Sequence, residues 1–158
     1  MKRILVVRID FLGDMVCTTP LLRRLKERWP GAEIHVLANK YNRAVLEGNP
    51  DVSVVHTYVY SKQFERNPRP GKINAIRDRL SLILRLRKQK FDLLVIPNGG
   101  MHKNSIQFAR LLNAKTRRWH TADTEFDDRK PEHVASRPIR HEALSGFRIM
   151  PELGQVEP

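Results

Sequence analysis

Cysteine is almost absent from this chain. Cys17 is the single one among 158 residues, so no internal disulfide can form, and the composition fits a reducing, cytosolic setting. Long apolar runs are missing as well: nothing approaches the roughly 18 consecutive residues of a membrane-spanning helix. The first apolar run, Ile4-Leu5-Val6-Val7, is interrupted by Arg8 and Asp10 too early for a signal-peptide core. Aromatic residues are sparse at 7%, and no helix-turn-helix, RNP-like or zinc-finger pattern accompanies them, which argues against nucleic acid. The histidines (His35, His56, His102, His120, His133 and His141) fall in no C-x-x-C, H-x-x-x-H or H-E-x-x-H spacing, so no metal site is expected. With one cysteine, a Cys–His nucleophile pair is not expected either. Only Gly13 stands in the loop after the first apolar run, so neither G-x-G-x-x-G nor a Walker loop is present and no cofactor is expected.

Acidic residues are also few. Seventeen Asp and Glu face 29 Lys and Arg, for a formal net charge of +12. The excess is concentrated between Ser61 and Lys90, where ten bases meet two acids. Such a surface attracts polyanions: nucleic acid, anionic lipid headgroups or phosphorylated sugars. A charge excess of this kind is also compatible with nothing more than solvated side chains.

What is present reads as an α/β domain. The apolar content of 41% and the length suit one globular unit with a real core. Strands are expected over Ile4–Val7, Glu33–Ala38, Val52–His56, Phe91–Ile96 and Ala114–Trp119. Helices are expected over Thr18–Trp29, Asn39–Glu47, Ile73–Lys90, Ile106–Leu112 and Ile139–Met150. Strands separated by helices, without hairpin signals, argue for a parallel, Rossmann-like sheet with helices on both faces. For the first helix, either Asp14 caps and Pro20 falls inside, or Thr19 caps and Pro20 takes the first helical position. The second helix is expected to turn Tyr41, Ala44 and Val45 inward. Ile73, Ile76, Leu80, Ile83 and Leu84 form the expected inner arc of the basic helix, with Leu82 and Leu86 off it. That implies either broad burial or a second partner. Tyr58–Lys72, with its Asn-Pro-Arg-Pro-Gly breakers, reads as an exposed mobile loop, and His120–Arg137 as charged and irregular.

Two loops at one sheet edge carry the chemistry. In the first, Gly13-Asp14 places a carboxylate where the first strand ends. It can serve as a general base or ligand anchor, or simply cap the helix; Asp10 lies in the same loop. In the second, Asn98-Gly99-Gly100-Met101-His102-Lys103-Asn104-Ser105 offers glycines, a helix start and a lysine as a seat for phosphate or carboxylate, or is merely a glycine-rich turn. Parallel strands bring both loops to the same edge, where open α/β sheets bind ligands.

The stretch ILVVRIDFLGDMVCTTPLLRRLKERWPGAEIHVLANKYNRAVLEGNPDVSVV resembles the first domain of glycosyltransferase family 9, the ADP-heptose:lipopolysaccharide heptosyltransferases. VIPNGGMHKNS resembles the family's loop after the fourth strand, and His141-Glu142 a His–Glu pair near that domain's end. The resemblance is strong over Ile4–Val55, moderate over Phe91–Leu112 and weak elsewhere. It implies a GT-B enzyme whose two Rossmann-like halves face across a cleft, inverting the anomeric centre without a metal. The N-terminal half binds the lipopolysaccharide inner-core acceptor and the C-terminal half the donor ADP-heptose. Carried over by position, Asp14 is the general base, Lys103 contacts the anionic acceptor, and Asp10, Gly13, Asn98 and Asn104 are acceptor-side candidates. Residues 1–150 then form the acceptor-side domain and 151–158 the start of an inter-domain linker, with the donor-binding domain absent. Cytoplasmic placement, peripheral at an anionic membrane surface, follows, with the basic helix and Tyr58, Tyr60 and Phe64 as contacts. The alternative is a basic, non-enzymatic α/β binding module for nucleic acid or another polyanion.

Overall fold

The computed structural model describes residues 1–121, 131 and 141–154. Five strands, β1 (Arg3–Val7), β2 (Glu33–Ala38), β3 (Val54–Thr57), β4 (Leu93–Ile96) and β5 (Thr116–Trp119), form one sheet in the order β3-β2-β1-β4-β5. Every neighbouring pair is parallel. The helices are α1 (Leu12–Arg28), α2 (Lys72–Gln89), α3 (Lys103–Ala109) and a short α4 (Ser145–Arg148). Short 3-10 turns cover Asn42–Leu46, Phe64–Arg66, Glu142–Leu144 and Pro151–Leu153. The α/β sheet expected from the strand–helix alternation is therefore present.

Alternation along β1 divides the core in two. Ile4 and Val6 pack with Met15, Leu21, Leu22 and Leu25 of α1. Leu5 and Val7 pack on the other face with Leu82 and Leu86 of α2 and Phe108 of α3. Burial on both faces is why β1 and β4 read as unbroken apolar runs. The strand order reverses at β1, with β2 on one side and β4 on the other. Beyond the carboxyl ends of β1 and β4 lies the crevice such a reversal creates.

Neither expected start of the first helix is correct. α1 begins at Leu12 with Phe11 as a side-chain-free cap, Asp14 lies inside the first turn, and Pro20 is interior. Proline there removes the N–H that would bond Val16 O. The Thr19 hydroxyl takes that carbonyl at 2.7 Å, and the Thr18 hydroxyl bonds Asp14 O at 2.9 Å. The Thr-Thr-Pro sequence thus supplies its own repair and lets the helix run through.

The segment after β2 turns Asn42 and Leu46 inward with Val45 half-buried, while Tyr41 and Ala44 are exposed, contrary to expectation. The cause is polar: Asn39 Oδ1 accepts from the N–H groups of Tyr41 and Asn42 at 2.9 and 2.7 Å, and Asn42 Nδ2 reaches Arg8 O at 3.0 Å. Tyr58 and Tyr60 are buried against each other and Phe108, so neither is available at an interface. Asn67 closes their loop through Tyr60 N and Tyr60 O. These contacts pin the loop at Tyr58, Tyr60 and Asn67, whereas most of its other residues from Ser61 to Lys72 are exposed, as expected.

α2 faces the other way from its expected arc. Ala75, Leu82 and Leu86 are buried, whereas Ile73, Ile76, Leu80 and Leu84 are exposed. Arg79 settles the orientation, because its guanidinium lies over the rings of Tyr58 and Phe108 and donates to Val59 O at 2.7 Å. An arginine with partners occupies the inner side, and counting apolar residues alone favours the wrong face. α3 starts three residues earlier than expected, capped by His102, whose Nδ1 accepts from Ser105 N.

Of the expected last helix, the described part is the turn Glu142–Leu144 running into α4. Residues 122–130 and 132–140, His133 among them, lie outside the described residues, as do 155–158 of the expected linker. Leu153, at the linker's expected start, is buried in the α1-side core. No described helix is long and apolar enough to cross a membrane.

Two buried histidines link β2 to the edge strand β3. His35 Nδ1 and His56 Nε2 are 2.9 Å apart with their rings stacked, and His35 Nε2 meets Glu33 at 3.2 Å. Burial pushes His35 below its ordinary range, partly offset by Glu33. Burial, then His35 and Arg85, push His56 down to about 4 from 6.5. Both rings stay neutral in the fold while the unfolded chain protonates them. The unfolded state therefore binds more protons between those values, and stability falls as pH drops through that window. For His56 the loss is about 3 kcal/mol. Urea unfolding of wild type against His56→Gln from pH 7 to pH 4 should show the difference between them shifting against the wild type on acidification. A constant difference would contradict this.

Candidate active site

The site is organised by an arginine at the end of β1. Arg8 continues the strand, its N–H bonding Leu37 O at 3.0 Å, and its side chain is almost wholly buried. Three carboxylates surround the guanidinium. Nε is 2.9 Å from Asp10 Oδ1, and Nη2 lies 3.2 Å from Asp14 Oδ1 and 2.9 Å from Glu142 Oε1. One positive charge thus holds three negative groups drawn from the β1 loop, the first turn of α1 and the turn before α4. Asp14 also profits from the positive end of α1.

The second loop closes the ring. Asn98 Nδ2 donates to Asp10 Oδ2 at 2.9 Å, and Gly99 N to Glu142 Oε1 at 3.3 Å. A Cβ on Gly99 would sit 3.0 Å from Ser145 Oγ and 3.1 Å from Glu142 Oε2, so glycine permits this approach. A Cβ on Gly146 would meet Leu21 at 2.6 Å, so a second glycine lets α4 seat on α1 and fixes the adjacent Glu142. His141 Nδ1 accepts from Ala143 N at 3.2 Å and caps that turn. Asn39 Nδ2 holds the β1 loop through Ile9 O and Asp10 O, at 3.0 and 2.8 Å.

Burial separates the two aspartates. The Asp10 side chain is 14% exposed and Asp14 29%. Burial pushes Asp10 up and nearby Asp14 adds to this, while Arg8 pulls it down; the net direction is up. The charge on Arg8 is held above its ordinary value because Asp10 and Glu142 outweigh its burial. Burial also pushes His102 down, with Asp10 and Asp14 opposing, so a neutral imidazole stands near the cluster. Asp14 is the more exposed carboxylate at the carboxyl end of β1, while Asp10 is engaged on both oxygens.

Of the expected site residues, the structure brings Asp10, Asp14 and Asn98 together. Gly13 is exposed at the start of α1, and a Cβ there would meet nothing within 4 Å, leaving open space beside Asp14. Lys103 and Asn104 are exposed at the start of α3, on the same sheet edge but outside the hydrogen-bonded ring. Asn98 Oδ1 is buried without a hydrogen-bond partner among the described residues, an acceptor open to a donor from a ligand. Sequence reading passed over Arg8, Glu142 and Asn39 as site residues. Arg8 carried a signal, since a charge directly after a fully buried strand requires partners.

No family model matches the chain. A chain of Escherichia coli named lipopolysaccharide heptosyltransferase 3 is 32% identical over 107 residues, covering 68% of this chain and 29% of that one. The chain spans less than a third of the length of the curated relatives it matches. A glycosyltransferase family 9 structure from Veillonella parvula DSM 2008 superimposes with a TM-score of 0.67 at 21% identity, over 97% of this chain and 41% of that one. E. coli heptosyltransferase WaaC with ADP gives a TM-score of 0.67 at 17% identity, over 99% and 49%.

Removing Arg8 leaves three carboxylates facing one another in a partly buried site, which costs about 3–5 kcal/mol. Arg8→Met should therefore lower the urea midpoint strongly at neutral pH, and the deficit should shrink on acidification as the carboxylates protonate. An unchanged midpoint would show that Arg8 does not hold the site. The likeness expected from the motifs holds in both sequence and fold: this chain resembles the heptosyltransferases of glycosyltransferase family 9.

Proposed function

We propose that this chain is the acceptor-binding part of an inverting glycosyltransferase that moves heptose from ADP-heptose to the lipopolysaccharide inner core. The observation that carries the proposal is the partly exposed carboxylate of Asp14, held by Arg8 at the carboxyl ends of β1 and β4. In the transfer, an acceptor hydroxyl oxygen attacks the anomeric carbon and the bond from that carbon to the ADP phosphate oxygen breaks. ADP leaves and Asp14 takes the hydroxyl proton. Arg8 holds the carboxylate in place. Neither a metal nor a cofactor has a role in this scheme.

Asn98 Oδ1 would accept a hydrogen bond from an acceptor hydroxyl, and Gly13 leaves room for the sugar above the start of α1. Lys103 would meet the acceptor's phosphate or carboxylate, with Asn104 beside it and Asp10 setting the Asn98 amide. Residues 1–150 form this acceptor-side domain and 151–158 lead toward a linker. In this reading the donor ADP-heptose is bound by residues outside the acceptor-side domain. The chain works in the cytoplasm, peripheral to the membrane that carries the lipid-linked acceptor. The open amide acceptor of Asn98 and the carboxylate of Asp14 suit the hydroxyls of a sugar, which favours this reading over the alternative of a nucleic-acid module.

Titration calorimetry of the chain with delipidated inner-core oligosaccharide tests the reading. Binding is expected, weakened about tenfold in Lys103→Ala, as suits loss of one charge-assisted contact. No heat is expected with ADP, nor any preference for duplex DNA. Tight ADP binding, or DNA bound in preference to the oligosaccharide, would overturn the assignment.

A further inference from the structure

The outward face of α2 has no role in the transfer site. On it Ile73, Ile76, Leu80 and Leu84 are 75%, 62%, 57% and 51% exposed. At 100° per residue these four span a narrow arc, opposite the buried Ala75, Leu82 and Leu86. The stripe is bordered by exposed bases: Lys72, Arg77, Arg85, Arg87 and Lys88. The one acid on the helix, Asp78, is taken by Arg69. Arg79, the remaining base, is turned inward over Tyr58 and Phe108. A shallow depression along this side places Leu80 and Leu84 between Arg77, Arg85 and Lys88.

Four large aliphatic side chains in water are costly, and removing them from it is favourable. Their setting selects the occupant. A second copy would press two such basic helices together, so like charges would oppose the apolar gain. A bilayer with anionic headgroups accepts both features at once: the aliphatic stripe enters the headgroup–acyl boundary while lysines and arginines stay among phosphates. Helix polarity adds to this. α2 follows the loop from the carboxyl end of β3, so Lys72 and Ile73 begin at the sheet edge that carries Asp14.

We infer that α2 is the membrane-contacting element of this chain, lying in the plane of an anionic bilayer through Ile73, Ile76, Leu80 and Leu84. The inference rests on, and deepens, the peripheral placement proposed above. Of the contacts the sequence suggested, it keeps the basic helix, assigns the contact to its aliphatic face, and leaves out the buried Tyr58 and Tyr60. Seated this way, the chain presents its acceptor crevice along the membrane surface, where a lipid-linked sugar would be met without leaving the bilayer.

The test is co-sedimentation of the chain with phosphatidylcholine vesicles, with and without phosphatidylglycerol, over a salt series. Binding is expected only with the anionic lipid and should weaken with salt. Leu80→Gln/Leu84→Gln should lower affinity about tenfold or more, with unchanged far-UV circular dichroism. Arg77→Gln/Lys88→Gln should weaken binding and flatten its salt dependence. Equal binding to neutral vesicles, or anionic binding untouched by the leucine pair, would overturn the inference. So would a leucine pair that dissolves a dimer in sedimentation velocity while leaving vesicle binding intact. These vesicles contain no acceptor sugar, so failure here rejects the α2 face and leaves the oligosaccharide calorimetry to judge the transferase reading separately.

Discussion

A buried guanidinium cannot stand alone, and the architecture at the sheet's carboxyl edge follows from that constraint. Arg8 leaves β1 into an environment with little water, and its charge is tolerable only where carboxylates come to it. They come from three separate pieces of chain: the loop before α1, the first turn of α1, and the turn at Glu142 more than a hundred residues later. Glu142 reaches it because Gly99 and Gly146 clear the way for α4 and its preceding turn. The ion cluster thus works as a clasp between the first and last described parts of the domain. It also leaves a surplus of negative charge where the fold opens a crevice.

That surplus is divided unequally, and the proposed chemistry rests on the division. Asp10 bonds both Arg8 and Asn98 and is driven up in pKa by burial, so it serves the frame. Asp14 shares the guanidinium yet keeps roughly twice the exposure, on a helix whose N-terminal end favours a carboxylate. Two acids that look interchangeable in the loop thus differ in both exposure and partners. The bond from the Thr19 hydroxyl to Val16 O, the carbonyl that Pro20 leaves without a donor, belongs to the same design, because it lets α1 run through Pro20 and still carry Asp14 in its first turn.

Much of the fold was legible in the sequence. β1, β2 and β4 announced themselves as apolar runs because both faces of a parallel sheet are covered, and the meeting of Asp10, Asp14 and Asn98 followed from parallel topology. What could not be read had polar or three-dimensional causes. α2 was assigned the wrong face because it is apolar on two sides, and the choice between them was made by Arg79 finding aromatic and carbonyl partners. Tyr41 and Ala44 lost the inner position to Asn42 because a side-chain amide satisfied Arg8 O. Glu142 was visible only as half of a His–Glu pair, since its partner is far away along the chain.

The central claim is that Asp14, and not Asp10, removes the acceptor's proton. Turnover of Asp14→Asn beside Asp10→Asn, in a polypeptide that joins this chain to its donor-binding part, tests it most directly. The expected result is a loss of about 10³-fold in kcat for Asp14→Asn with acceptor KM near wild type, and a much smaller loss for Asp10→Asn. Asp14→Asn turning over within about tenfold of wild type, or Asp10→Asn proving the more damaging to kcat, would contradict it.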